Sequence, residues 1–73
     1  MDNFRIIPMR VVAGSVWQEC DVNHSSAWSV EELLEDGSWY SHDVMEFYDD
    51  EHKWDVLEDA RRLLKDIVAG ETA

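Results

Sequence analysis

Cysteine is nearly absent: Cys20 stands alone, so no disulfide can form within the chain. No apolar run approaches the roughly 20 residues that a membrane-spanning helix requires. The N-terminal MDNFRIIPMR also lacks the long apolar stretch ending in small residues that marks a signal peptide. These absences point to a reduced, cytoplasmic protein with a free thiol. Glycine occurs three times and proline once, which is too little for a low-complexity or linker-like chain. The scarcest feature is positive charge, with six Lys and Arg against seventeen Asp and Glu.

That scarcity excludes whole classes of function. Nucleic-acid affinity rests on phosphate contacts from a basic face. Arg5, Arg10, Arg61, Arg62 and Lys65 cannot supply one against a net charge of −11. Attachment to an anionic membrane surface fails for the same reason. Catalytic signatures are missing as well: Ser25, Ser26, Ser29, Ser38 and Ser41 have no nucleophile-elbow context, and no glycine-rich phosphate loop occurs. Carboxylate pairs are unavoidable by chance in so acidic a chain, so the expectation is a protein that is not an enzyme. For metals, His52 with Asp55 and Glu51 or Asp59, and Cys20 with His24, have usable spacings. Neither gathers the full ligand set of a structural zinc site, and the alternating acids of a calcium loop are absent. No metal or cofactor is expected.

What is present is a core-forming composition. Nearly half of the 73 residues are apolar and four are tryptophans, which offer the large buried areas a small core needs. The length implies one domain of marginal stability spanning residues 1–73. Trp54, Leu57, Ala60, Leu64 and Ile67 recur at helical spacing, with Val56, Leu63 and Val68 widening the stripe. Asp49 and Asp50 can cap the start, Arg61, Arg62 and Lys65 suit the negative end of the dipole, and Gly70 offers a stop. The pattern predicts a helix over about 50–69.

Upstream, Asp36-Gly37 lies between segments rich in strand formers, a hairpin signal. Neither arm alternates cleanly, which implies a bulge or a change of buried face. SVEELLED, with Ser29 and Glu32 as a capping box and Gly37 as a stop, could instead form a two-turn helix, but so short a helix is weak. Residues 4–13 read as an edge strand or one interrupted at Pro8. Gly14-Ser15 can turn the chain into a strand at VWQECDV, and NHSS at 23–26 reads as a loop. Trp17, Trp28 and Trp39 are spaced by eleven, putting roughly one on each successive strand, most of them packed under the helix. The predicted fold is α+β: a small antiparallel sheet of three or four strands within about 4–48, with one C-terminal helix on one face.

The acids are unevenly placed. Residues 31–59 hold twelve carboxylates and only Lys53, whereas the flanking segments are nearly balanced. Such crowding opposes compaction, and a salt-loving source would be expected to spread its acids throughout. In a strand, residues i and i+2 lie about 6.6–6.8 Å apart on one side, comparable to the phosphate spacing along a nucleic-acid strand. Glu31, Glu35, Asp36, Asp43 and Glu46 could present such a row, continued by Asp49, Asp50, Glu51, Asp55, Glu58 and Asp59. Trp39 and Tyr40, close to the turn, are the aromatic candidates for contact with a partner.

In size, acidity and strand-then-helix layout the chain resembles the small phage-encoded DNA-mimic inhibitors, among them anti-CRISPR and anti-restriction proteins. The resemblance is one of class over the whole chain and carries no residue across by position. It implies a partner that is a nucleic-acid-handling protein with a basic groove, met in the host cytoplasm. The alternative is an acidic interaction or assembly module anchored by exposed aromatics, with charge as a rim. A homodimer pairing N-terminal edge strands is a further expectation.

Overall fold

A computed structural model describes residues 3–12, 14 and 16–72. Four strands and one helix follow in order: β1 (Phe4–Val12), β2 (Val16–Glu19), β3 (Ala27–Leu33), β4 (Trp39–Glu46) and α1 (Asp50–Thr72). The strands form one antiparallel sheet in the order β2-β1-β3-β4, with α1 packed on one face, the expected α+β architecture.

β1 is not interrupted, and it is an edge over only part of its length. Residues 4–8 pair with β3 alone, whereas residues 9–12 pair with β2, and the strand runs straight through Pro8. Proline is tolerated because of where β2 stops. The Pro8 carbonyl accepts from the Cys20 N–H at 3.2 Å, just past the last paired residue Glu19, so the missing N–H faces a side where the ladder has ended. Of the β1–β2 turn, Gly14 adopts a φ of 79°, which a Cβ would disfavour, while Ser15 lies outside the described residues. The loop foreseen at 23–26 begins as a 3-10 turn over Val22–His24.

Residues 27–33 are strand, not helix, and the hairpin to β4 forms as expected. Its loop is longer than an Asp-Gly two-residue turn. The Leu34 N–H donates to the Ser38 carbonyl at 2.8 Å, and the Gly37 N–H to the Leu34 carbonyl at 3.0 Å. Glu35 and Asp36 are therefore the central pair, and Gly37, at a φ of 87°, is the left-handed residue that closes a three-residue loop. The irregular alternation has its cause in a register shift between Val30 and Glu31.

Because paired residues of neighbouring strands share a side, the two faces can be assigned. Ile6, Trp28, Val30 and Met45 face α1, joined by Phe47 and by Val56, Leu57, Ala60, Leu63, Leu64 and Ile67 from the helix. The helix is rotated relative to the expected stripe. Trp54 is more than half exposed and touches the core only by its ring, 6.1 Å from that of Trp28. Lys53 is buried in its place. Lys53, Val56, Leu57, Ala60, Leu63, Leu64 and Ile67 keep helical periodicity, so the inward stripe begins on a cation. The helix also continues through Gly70, whose backbone stays out of the left-handed region. Trp17, Trp28 and Trp39 do occupy successive strands, but only Trp28 lies under the helix; Trp17 and Trp39 belong to the opposite face.

Candidate functional site

The acidic segment divides into three environments. Glu31 is turned into the molecule. On the sheet face away from α1, its carboxylate takes Nη2 of Arg5 at 2.7 Å and Nε at 2.8 Å, a two-point clasp. The Ser29 hydroxyl donates to its other oxygen at 3.0 Å and meets the Ser41 hydroxyl at 3.0 Å. The Arg5 guanidinium stacks over Trp39, 4.0 Å from the ring centroid. Ser29 and Glu31 are buried, and Trp39 is just into the exposed range. Glu31 and Trp39 thus serve an internal polar cluster, and Glu31 joins no row with Glu35 and Asp43.

Glu35 and Asp36 are exposed at the hairpin turn. Asp36 is held by its own loop, accepting from the Ser38 hydroxyl at 2.6 Å and its N–H at 2.9 Å, and these bonds keep its carboxyl below the ordinary value of 3.8.

The third group surrounds the start of α1, about 26 Å from the turn along the eight residues of β4. Asp43 and Glu46 are exposed on β4, an edge strand. Asp49, Asp50 and Glu51 follow directly, and Glu51, Asp55 and Asp59 form an i, i+4, i+8 ridge on the exposed side of the helix, rising about 6 Å per step. Cations enter only at the far end, where Arg61 meets Glu58 at 2.7 Å and Arg62 meets Asp59 at 3.5 Å. Tyr40, Tyr48 and Trp54 are exposed, and Tyr48 donates to Glu46 at 3.1 Å.

Lys53 decides the sign of this surface. Its ammonium donates to the Val22 carbonyl at 2.8 Å, lies 3.2 Å from Asp50 and sits 5.5 Å from the centre of the Phe47 ring. Its own carbonyl accepts the Trp28 indole N–H at 2.9 Å. The one cation of residues 31–59 is therefore a fastener between helix and loop; of the exposed acids around it, it pairs with Asp50 and leaves the others unbalanced. Charge counting alone missed this. The signal was present in the spacing, because Lys53 stands three and four residues before Val56 and Leu57.

Asp49 and Asp21 carry the same local device. Each caps a turn, accepting the backbone N–H three residues on (2.7 Å from His52, 3.2 Å from His24) and the ring Nδ1 of the same histidine at 2.7 and 2.8 Å. The backbone and ring bonds from His52 lower the Asp49 carboxyl below 3.8; for Asp21 the His24 ring is the leading cause. A depressed folded-state pKa gives stability that is complete above the unfolded value and is lost as pH falls through the folded one. Thermal melts should therefore fall as pH drops below about 4, and Asp49→Asn, which keeps a capping oxygen, should flatten that slope. An NMR midpoint for the Asp49 carboxyl at or above 3.8 would contradict the assignment.

His52 and His24 thus turn to capping aspartates, and among the described residues no group of three or more His, Cys, Asp or Glu is arranged to hold a metal ion. Among the same residues no helix is long and apolar enough to cross a membrane. Comparison with protein-family models, curated proteins and solved structures finds no match.

Proposed function

We propose that this chain is a non-catalytic acidic binding protein that occupies the cation-lined groove of a nucleic-acid-handling protein, such as a host defence or repair factor, in place of the nucleic acid. The contact surface is the end of β4 and the first turns of α1: Asp43, Glu46, Asp49, Asp50, Glu51 and Asp55, with Glu35 and Asp36 a second point at the hairpin turn. The observation that carries the reading is the burial of Lys53, which reaches Asp50 alone of these exposed acids and leaves the others without a neighbouring cation along the helix until Arg61. Fixed carboxylates at about 6 Å steps along a helix offer a lysine- and arginine-rich groove charge at regular spacing without base information. The class-level resemblance to DNA-mimic inhibitors supports the same partner.

An aromatic-anchored interaction module is the second reading. Its support is the exposure of Tyr48 and Trp54 on either side of Asp49–Glu51, and of Tyr40 on β4. Trp39 is weaker as an anchor, since its ring already carries Arg5.

Affinity capture from nuclease-treated bacterial lysate separates the two. Mimicry predicts a DNA- or RNA-binding protein that is released by high salt and displaced by added duplex DNA. Combined Asp49→Lys, Asp50→Lys and Asp55→Lys substitutions should then weaken binding by at least 100-fold, while Tyr48→Ala changes it only slightly. A salt-resistant partner lost on Tyr48→Ala or Trp54→Ala and indifferent to DNA would overturn mimicry in favour of the second reading.

A further inference from the structure

The sheet face away from α1 has no covering layer among the described residues, yet its composition is that of a buried one. Ile7, Met9 and Val11 of β1, Trp17 of β2, Ala27 and Leu33 of β3, and Val44 of β4 share it, by pairing and alternation. An antiparallel sheet with one solvated face shows polar residues there. β1 instead carries Phe4, Ile6 and Pro8 on one side and Ile7, Met9 and Val11 on the other. The polar members are mutually neutralised: Arg5 and Glu31 clasp each other, and Ser29 and Ser41 are hydrogen-bonded. In a chain of net charge −11, the described residues of this face carry acids outside that clasp only at Glu19 and Glu46, both in the row of Met9 and Ala27.

We propose that this face is a self-association surface, and that two copies pack sheet on sheet through it. Charge chooses the occupant. A second copy brings the same apolar face, keeps Glu19 and Glu46 at the rim because they lie on the edge strands β2 and β4, and leaves the acids of both α1 helices pointing outward. It also chooses the symmetry. A twofold axis along the strands would set Glu19 of one copy over Glu46 of the other. An axis across the strands, through the row of Ile7, Ser29 and Val44, sets the Glu19 and Glu46 row over the Arg5 and Ser41 row. Four strands about 4.8 Å apart and some 23 Å long give a footprint of roughly 440 Å² per copy. The total for the pair falls just under the about 1,000 Å² of specific interfaces, so the dimer is a weak, reversible one. This departs from the edge pairing expected of an N-terminal edge strand, since β1 is interior over the half that pairs with β2.

Sedimentation equilibrium of the full chain from 5 µM to 1 mM is the test. A monomer–dimer equilibrium is expected that tightens several-fold between 50 and 500 mM NaCl, because salt screens the repulsion of two acidic bodies. Mimic binding moves the other way with salt, so the two readings fail independently. Val11→Lys, at an exposed position, and Val44→Lys, in the central row, should each weaken the dimer at least tenfold. Should Val44→Lys fail to fold, wild-type NMR gives the same information. Concentration-dependent shifts should gather on Ile7, Val44 and the Trp39 indole, while amide exchange at Phe4 and Ile6 on the free edge of β1 stays constant. A monomer at 1 mM, or shifts and protection confined to the free edge or to α1, would overturn the proposal.

Discussion

Trp28→Ala should abolish the folded state or leave it barely populated at 25 °C, whereas Trp54→Ala should melt within a few degrees of the parent. Trp28 is buried at the centre of the sheet, its ring 6.1 Å from those of both Phe47 and Trp54, and its N–H donates to the Lys53 carbonyl at 2.9 Å. Emptying such a site costs about 3–5 kcal/mol for the cavity, and losing the hydrogen bond adds about 1 kcal/mol. A domain of 73 residues has a total stability of roughly 4–11 kcal/mol at the usual value per residue. Trp54 is 56% exposed, so its truncation removes only part of one ring contact. Trp28→Phe separates the two contributions: it keeps most of the volume, drops the donor, and should cost about 1–2 kcal/mol in urea denaturation. Equal losses for Trp28→Ala and Trp54→Ala would show that the helix sits on the sheet differently.

That contrast also shows why the fold was legible in the sequence and its details were not. Element types follow from local chemistry. The helix declares itself over some twenty residues of period, and Gly37 fixes the hairpin because few other residues accept a φ of 87°. The phase of the helix is harder. Trp54 outranks Lys53 on any hydrophobicity scale, yet the stripe through Val56, Leu57 and Ala60 points back to Lys53, whose long apolar stem reaches across to the Val22 carbonyl. Pro8 misleads for a similar reason. It rules out a ladder partner on one side only, and β2 is too short to need one there.

The acidic site divides along the same line. Asp43, Glu46, Asp49, Asp50, Glu51 and Asp55 could be read as exposed because strand ends and the first helical turns favour exposed acids for local reasons. Glu31 could not be read as buried. Its fate depends on Arg5, twenty-six residues away, arriving opposite it in the β1–β3 register, and on a bulge that places Ser41 beside it. No spacing within 31–59 contains that information. The charge map was therefore right in total and incomplete in distribution, because one acid and the segment's one cation are withdrawn into the fold.

The Arg5–Glu31 clasp supports the second large prediction, and it bears on what the uncovered face is for. Arg5→Ala should cost about 2–3 kcal/mol. It strands a carboxylate whose side chain is 9% exposed, while the 33% exposure of Arg5 keeps the loss below that of a fully buried pair. Glu31→Ala should cost a similar amount, since it also removes the acceptor of the buried Ser29 hydroxyl. Replacing both partners with apolar residues, Arg5→Met with Glu31→Leu, should cost less than either single change, because no charge is left unpaired and both desolvation penalties disappear. Urea denaturation of the four proteins makes the comparison, and singles costing under about 0.5 kcal/mol would mean that the pair behaves as a surface ion pair. If stability alone governed this position, the apolar pair would serve as well. The ion pair instead marks one register in an otherwise greasy face: it tells a second copy where to sit and denies other apolar surfaces a continuous patch. The double substitution should therefore yield a folded protein that associates beyond the dimer at concentrations where the parent goes no further than the monomer–dimer equilibrium. Light scattering at 20 µM would reveal it.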